Sequence, residues 1–158
     1  MITIFSFSTT LALWSNVGVA GEITNSSKIG VGLNVGTLTN GLTAKRYFES
    51  NLIIQAFVGT RGVRYQHTFS IGADAMFEKP IREIDHGRLF FGYGGGLSLY
   101  SHRRFGFSSI GFSGVGELGI HFSAIPLECI IDVRPSVIIG ELGDIHILSG
   151  GIATRWFF

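Results

Sequence analysis

The chain has 158 residues, room for one domain of ordinary size. Apolar residues make up 46%, charged residues only 15%, and mean hydropathy is +0.39; yet beyond the N-terminus no run of about 18 apolar residues appears, which excludes a bundle of membrane helices. Fourteen phenylalanines and few charges exclude a disordered chain, and a net charge of +1 offers no footprint for nucleic acid.

Residues 1–20 carry no charged side chain. Ile2 to Trp14 is apolar, diluted by Ser and Thr, and Gly18-Val19-Ala20 places small residues at the minus-three and minus-one positions of a cleavage site. This predicts an export signal over 1–20, without the usual preceding Lys or Arg, and a mature domain over 21–158. The remainder reads as eight strands, near 28–36, 41–48, 51–59, 63–77, 88–100, 112–122, 127–134 and 147–158. Turn signals at Thr39-Asn40-Gly41, Glu49-Ser50-Asn51, Arg61-Gly62 and Ala124-Ile125-Pro126 separate most of them. The clearest alternation runs from Leu127 to Arg134: Glu128, Ile130, Asp132 and Arg134 share one face, and Leu127, Cys129, Ile131 and Val133 the other. Residues 78–87, the most charged segment, read as a loop or a single helical turn. Glycine numbers 23, about twice the usual share, and its cluster at Gly92-Tyr93-Gly94-Gly95-Gly96 predicts tight curvature or large neighbours packed over it.

Two faces emerge. One carries Lys45, Arg64, Gln66, Thr68, Ser70, Asp74, Glu117, His121, Glu128, Asp132, Arg134, Ser149 and Arg155. The other carries Val31, Leu33, Leu42, Tyr65, Phe69, Ile71, Leu89, Phe91, Tyr93, Leu97, Leu118, Ile120, Ile131, Val133, Ile152 and Trp156, broken in the strand centres only by Arg46 and His67. The polar face has four cations (Lys45, Arg64, Arg134, Arg155) and four anions (Asp74, Glu117, Glu128, Asp132). Such a balance suits a sealed interior, where an unpaired charge costs several kcal/mol. The expected fold is therefore all-β: an eight-stranded antiparallel up-and-down transmembrane β-barrel, apolar outside and polar inside.

The chain ends with Ile152, Thr154, Trp156 and Phe158 on the outward parity. With the export signal and the strand rhythm, this resembles the small eight-stranded outer-membrane barrel proteins of bacteria, such as the transmembrane domain of the OmpA type. The run from Ile125-Pro126-Leu127-Glu128 to Arg134-Pro135, then Gly150-Gly151-Ile152 and an aromatic end, is similar to a family of short, poorly characterised outer-membrane barrels. The resemblance implies residence in a bacterial outer membrane, with Trp156 and Phe158 as the signal read by the barrel assembly machinery. The long charged 78–87 segment departs from that pattern, because it falls on the side where such barrels have short turns. No further domain is expected after Phe158.

The expected function is a monomeric barrel with a plugged lumen, a structural or interaction role and no cofactor. Its lumenal network comprises Lys45, Arg64, Asp74, Glu117, His121, Glu128, Asp132, Arg134 and Arg155, with pairs such as His121 with Glu128 and Glu117 with Arg134. Glu117 and Asp132 face each other, which as an acid/base pair weighs little against a structural network. Outer loops are expected near 36–40, 60–62, 101–107 and 137–146, where Arg61, His102, Arg103 and Arg104 would form a basic rim for lipopolysaccharide phosphates. Three rivals remain: a lipid A-modifying barrel enzyme, a narrow channel and a soluble lipocalin-like carrier. The enzyme's nearest echo is His67-Thr68-Phe69-Ser70, in which no nucleophile shares the face of His67. Gly30-Val31-Gly32 lacks the following helix that a phosphate loop needs, and Cys129 reads as a small apolar residue.

Overall fold

The computed structural model describes residues 29–48, 52–63, 66–102 and 107–158. Ten strands follow in chain order: β1 (Ile29–Gly36), β2 (Asn40–Tyr47), β3 (Leu52–Val63), β4 (Gln66–Ile84), β5 (Gly87–His102), β6 (Phe107–Phe122), β7 (Leu127–Val133), β8 (Ser136–Gly140), β9 (Asp144–His146) and β10 (Gly150–Phe157). They form eight staves, because two staves are broken in mid-course. β7 and β8 both pair with β6, interrupted at Arg134-Pro135 where proline lacks an N–H. β9 and β10 lie along that stave's other side, interrupted at 147–149. Arg134 N donates to Ser149 O at 2.6 Å and Gly114 N to Pro135 O at 3.0 Å, so bonding continues across the breaks. Neighbours pair antiparallel in chain order, and β1 with β10 together with β5 with β6 closes the ring.

Period-two patterning sorts the side chains as expected, with the usual polarity of a globular protein reversed. The inner surface buries Thr43, Lys45, Gln55, Thr68, Ser70, Asp74, Glu78, Glu117, His121, Glu128 and Arg155. The outer surface exposes Val31, Leu33, Leu42, Phe69, Ile71, Phe91, Tyr93, Leu97, Leu118, Ile131, Val133, Ile152 and Trp156. Apolar packing inside includes two small clusters: Ile53, Met76 and Val115 with Tyr47 against them, and Phe90, Ile130 and Ala153. Aromatic rings lie against several glycines. A Cβ on Gly72 would stand 2.3 Å from Phe57 Cζ, and one on Gly119 would stand 2.4 Å from Phe90 Cζ. Glycine is what lets a barrel of this width hold aromatic rings. The 92–96 cluster works similarly: Gly92 lies under Met76 and Glu117, and Gly96 under the Asp74 carboxylate.

Three expectations are corrected. Residues 78–87 are neither a loop nor a helical turn: β4 and β5 pair down to Ile84↔Gly87, with only Asp85 and His86 in the turn. The ladder supplied by β5 outweighs the charge, and the register shifts between Pro80 and Arg82, as a residue without an N–H invites. Arg61-Gly62 is not a turn, since β3 continues to Val63. The last stave begins at Asp144, not 147.

Candidate functional site: the charged lumen

Two linked clusters fill the barrel. The first lies toward the end where β1 begins and β10 ends. Lys45 on β2 donates from Nζ to Glu128 Oε2 on β7 at 2.9 Å and to Glu78 Oε2 on β4 at 3.2 Å, with Glu117 Oε2 on β6 at 3.6 Å. From β10, Arg155 donates to Glu128 Oε1 through Nη1, to Gln55 Oε1 through Nη2 and to Thr43 Oγ1 through Nε. His121 Nε2 lies 2.9 Å from the Tyr47 hydroxyl, 3.3 Å from Glu78 Oε1 and 3.4 Å from Glu128 Oε2, and its ring stacks on Phe90 at 4.4 Å. The second cluster sits further along the barrel. Arg134 donates from Nη1 to Asp74 Oδ1 at 2.9 Å and from Nε to Asp132 Oδ2 at 3.2 Å, with its guanidinium over Phe57. Gln55 joins the two, accepting from Arg155 and donating to Asp74 Oδ2 at 3.1 Å.

The alternation of each strand puts these groups inside, and the antiparallel register sets their heights. His121↔Glu128 and Glu117↔Asp132 are direct cross-strand partners. The expected pair of His121 with Glu128 is therefore present, and Glu117 does face Asp132. Glu117 does not pair with Arg134, however. It approaches Lys45 and, at 4.0 Å, Arg155, while Arg134 is taken by Asp74 and Asp132. Reach across the lumen, which adjacency along the sheet does not reveal, decides this. Lys45, Asp74, Glu117, His121, Glu128, Asp132, Arg134 and Arg155 thus belong to one network. Arg64, Arg103 and Arg104, like residues 1–20, lie outside the described residues, and His102 is described only as the end of β5.

Arg61 is corrected: it is no rim residue but turns inward, 5% exposed, beside His146 and Asp144. The sequence reading missed Glu78, Tyr47 and Gln55. Parity could have found them, since Tyr47 follows Lys45 by two, Glu78 follows Asp74 by four, and Gln55 pairs across the sheet with both Lys45 and Asp74. With Glu78 included, the described residues of the two clusters contribute five carboxylates (Asp74, Glu78, Glu117, Glu128, Asp132) and three cations (Lys45, Arg134, Arg155), with Arg88 3.9 Å from Glu78 at the margin.

Ligand atoms of Glu78, His121 and Glu128 lie within 4.8 Å of one another, a spacing that could hold a metal ion. Lys45 already supplies a tethered cation between the two carboxylates, and Tyr47 already engages the imidazole. Between the clusters a cavity of about 30 Å³ remains, bordered by Asn34, Thr39, Gln55, Asp132, Arg134 and Arg155. That is space for two or three water molecules. No protein-family model matches the chain, and neither does any curated protein or solved structure, so its role has to be read from its own side chains.

Proposed function

We propose that the chain is an integral protein of a bacterial outer membrane: a monomeric eight-stranded barrel whose lumen is plugged and whose role is structural or interactional. The observation that carries this reading is the reversed polarity, with carboxylates and guanidinium groups buried and aliphatic and aromatic side chains outside. A lipocalin-like carrier needs the opposite arrangement. The apolar outer surface also has the right height. On β5 the outward residues from Leu89 to Leu99 span ten positions, about 33 Å along the strand and about 25 Å along the axis at a tilt of about 40°. That matches the apolar band of outer-membrane barrels, about 25 Å. Near the end where β1 begins and β10 ends, Phe77, Phe91 and Tyr93 cluster on the outside, with ring centroids 6.1 Å apart from Phe77 to Tyr93 and from Phe91 to Tyr93. Lys79 lies over Tyr93 and Arg46 over Phe48, the pattern of an aromatic girdle with cations reaching to headgroups.

In this reading Trp156 and Phe158 serve the assembly machinery, and the charged β4–β5 hairpin tip extends into the periplasm. The opposite end meets lipopolysaccharide. Plugging favours a structural role over a channel. Catalysis draws no support from His121, whose hydrogen-bonding neighbours among the described residues are Tyr47, Glu78 and Glu128, with no serine or threonine nucleophile. The test is to refold the mature chain from urea into micelles and run it unboiled and boiled on an SDS gel. A heat-dependent mobility shift is expected; solubility in plain buffer without any shift would overturn the reading.

A further inference from the structure

One part of the barrel wall is closed by side chains in place of a ladder. β2 pairs with β3 only as far as Asn40↔Thr60, so Arg61 to Val63 have β4 as their partner strand alone. Opposite them, β9 pairs only with β8 among the described residues, because β1, the neighbour of β10, ends at Gly36↔Gly151. The seam between β3 and β9 therefore lies above the short turn at residues 37–39. Arg61 spans it. Its Nη2 hydrogen-bonds His146 Nε2 and lies 3.6 Å from Asp144 Oδ2.

Three observations give the seam a ligand chemistry. First, Arg61 is 5% exposed and its buried Nε has no hydrogen-bond partner among the described residues. Nε–H and one of the two Nη2–H bonds lie along the same edge of the planar guanidinium, and Nη2 has a second hydrogen for His146. That edge fits two oxygens of one anion. Second, the anion now nearest, Asp144, has a half-exposed side chain, stands 3.6 Å from the guanidinium and is held through His146, whose Nε2 lies 2.9 Å from Asp144 Oδ2, so toward Arg61 itself it is a weak and replaceable partner. Third, the outer surface beside the seam carries Val35, Ile145, Ile147 and Leu148, at 68%, 69%, 78% and 86% exposure among the barest apolar residues described. Open sheet edges at membrane depth are tolerated only where polar groups or water meet them. A buried fork wanting an anion, beside bare aliphatic side chains wanting hydrocarbon, is complementary to an anionic lipid.

We propose that the seam binds the phosphate headgroup of a single membrane lipid, held by the Nε and Nη2 edge of Arg61 with His146 beside it, while the acyl chains lie along Val35, Ile145, Ile147 and Leu148. Asp144 holds the arginine when no lipid is present and competes with it. This rests on the membrane reading above and gives it a defined lipid partner.

The experiment uses native mass spectrometry of the refolded mature chain, released from zwitterionic micelles doped with equal amounts of phosphatidylglycerol and phosphatidylcholine. The wild type is expected to retain one phosphatidylglycerol in preference to phosphatidylcholine. Arg61→Gln should lose that preference. Asp144→Asn, at a half-exposed site and with the heat-dependent mobility shift as its check on folding, should bind at least threefold more, whereas a purely structural Asp144 would leave binding unchanged or lower it. Retention by Arg61→Gln equal to wild type, or no gain in Asp144→Asn, would overturn the proposal. Displacement of the lipid by millimolar inorganic phosphate would mean a free-anion site and overturn the lipid assignment. A heat-modifiable barrel that shows no lipid preference sinks the seam site alone; a chain that never forms a heat-modifiable barrel sinks the membrane reading with it.

Discussion

Glu128 is the hub of the lumen, and Glu128→Gln removes its charge while keeping its shape. The carboxylate is fully buried and accepts from Lys45 at 2.9 Å and from Arg155, with His121 at 3.4 Å. After the change Lys45 keeps Glu78 at 3.2 Å and Glu117 at 3.6 Å, and Arg155 keeps Gln55 and Thr43. Breaking a buried ion pair costs about 3–5 kcal/mol. The remaining carboxylates place this variant at the lower end, about 3 kcal/mol, roughly a hundredfold in the folding equilibrium. Urea titration of the micelle-embedded barrel, read by the ratio of folded to unfolded bands and by Trp156 fluorescence, measures it. Adding Lys45→Met to Glu128→Gln should deepen the loss, because Glu78 and Glu117 then lose their shared buried cation as well. A Glu128→Gln loss under about 0.5 kcal/mol would be that of a screened surface pair. It would refute a dry, plugged lumen.

Further outcomes follow from the same geometry. Gly119→Val should cost about 1–3 kcal/mol or more by driving a side chain into the Phe90 ring, whose Cζ would lie 2.4 Å from the new Cβ, and the folded band should weaken accordingly; a variant as stable as wild type would contradict the ring's placement. Ile131→Arg, on the outer face at 61% exposure, should cost about 2–4 kcal/mol in a bilayer if it lies near the midplane, and a neutral result in vesicles would argue against lipid contact. Planar-bilayer recordings of the wild type should show no stable single-channel conductance, and a steady open channel would defeat the plugged lumen. Removal of Phe158 should leave refolding in micelles unchanged while lowering insertion in cells. Equal insertion would take the assembly role away from the terminal aromatic.

The fold was legible because the alternation is nearly unbroken where one surface is uniformly apolar. Glu128 to Arg134 show their faces from spacing alone. The ends were less legible, because charge and turn residues near a rim carry no information about a ladder that the neighbouring strand provides. Lys79 to Ile84 became strand because β5 was there to pair with them, and Arg61 turned inward because the alternation that buries Ile53, Gln55 and Phe57 continues along β3 through it. In the site, membership of the lumen was readable but partnership was not. Whether Glu117 meets Arg134 or Lys45 depends on reach across the barrel, set by shear and by glycines that let Phe57 and Phe90 lie flat. The seam was invisible for the same reason: it follows from the unequal heights of staves that are distant in sequence.

The account's central claim is that the apolar outer surface lies in lipid. Trp156 tests it directly, being an outward residue of β10 at 43% exposure and the tryptophan that remains if residues 1–20 are removed. The mature chain should be refolded into vesicles containing lipids brominated at defined acyl positions, and Trp156 fluorescence recorded. Strong quenching, greatest with bromines near the interface at the girdle's depth, is predicted. Emission unaffected by bromine at every depth, from a chain that remains folded, would contradict it.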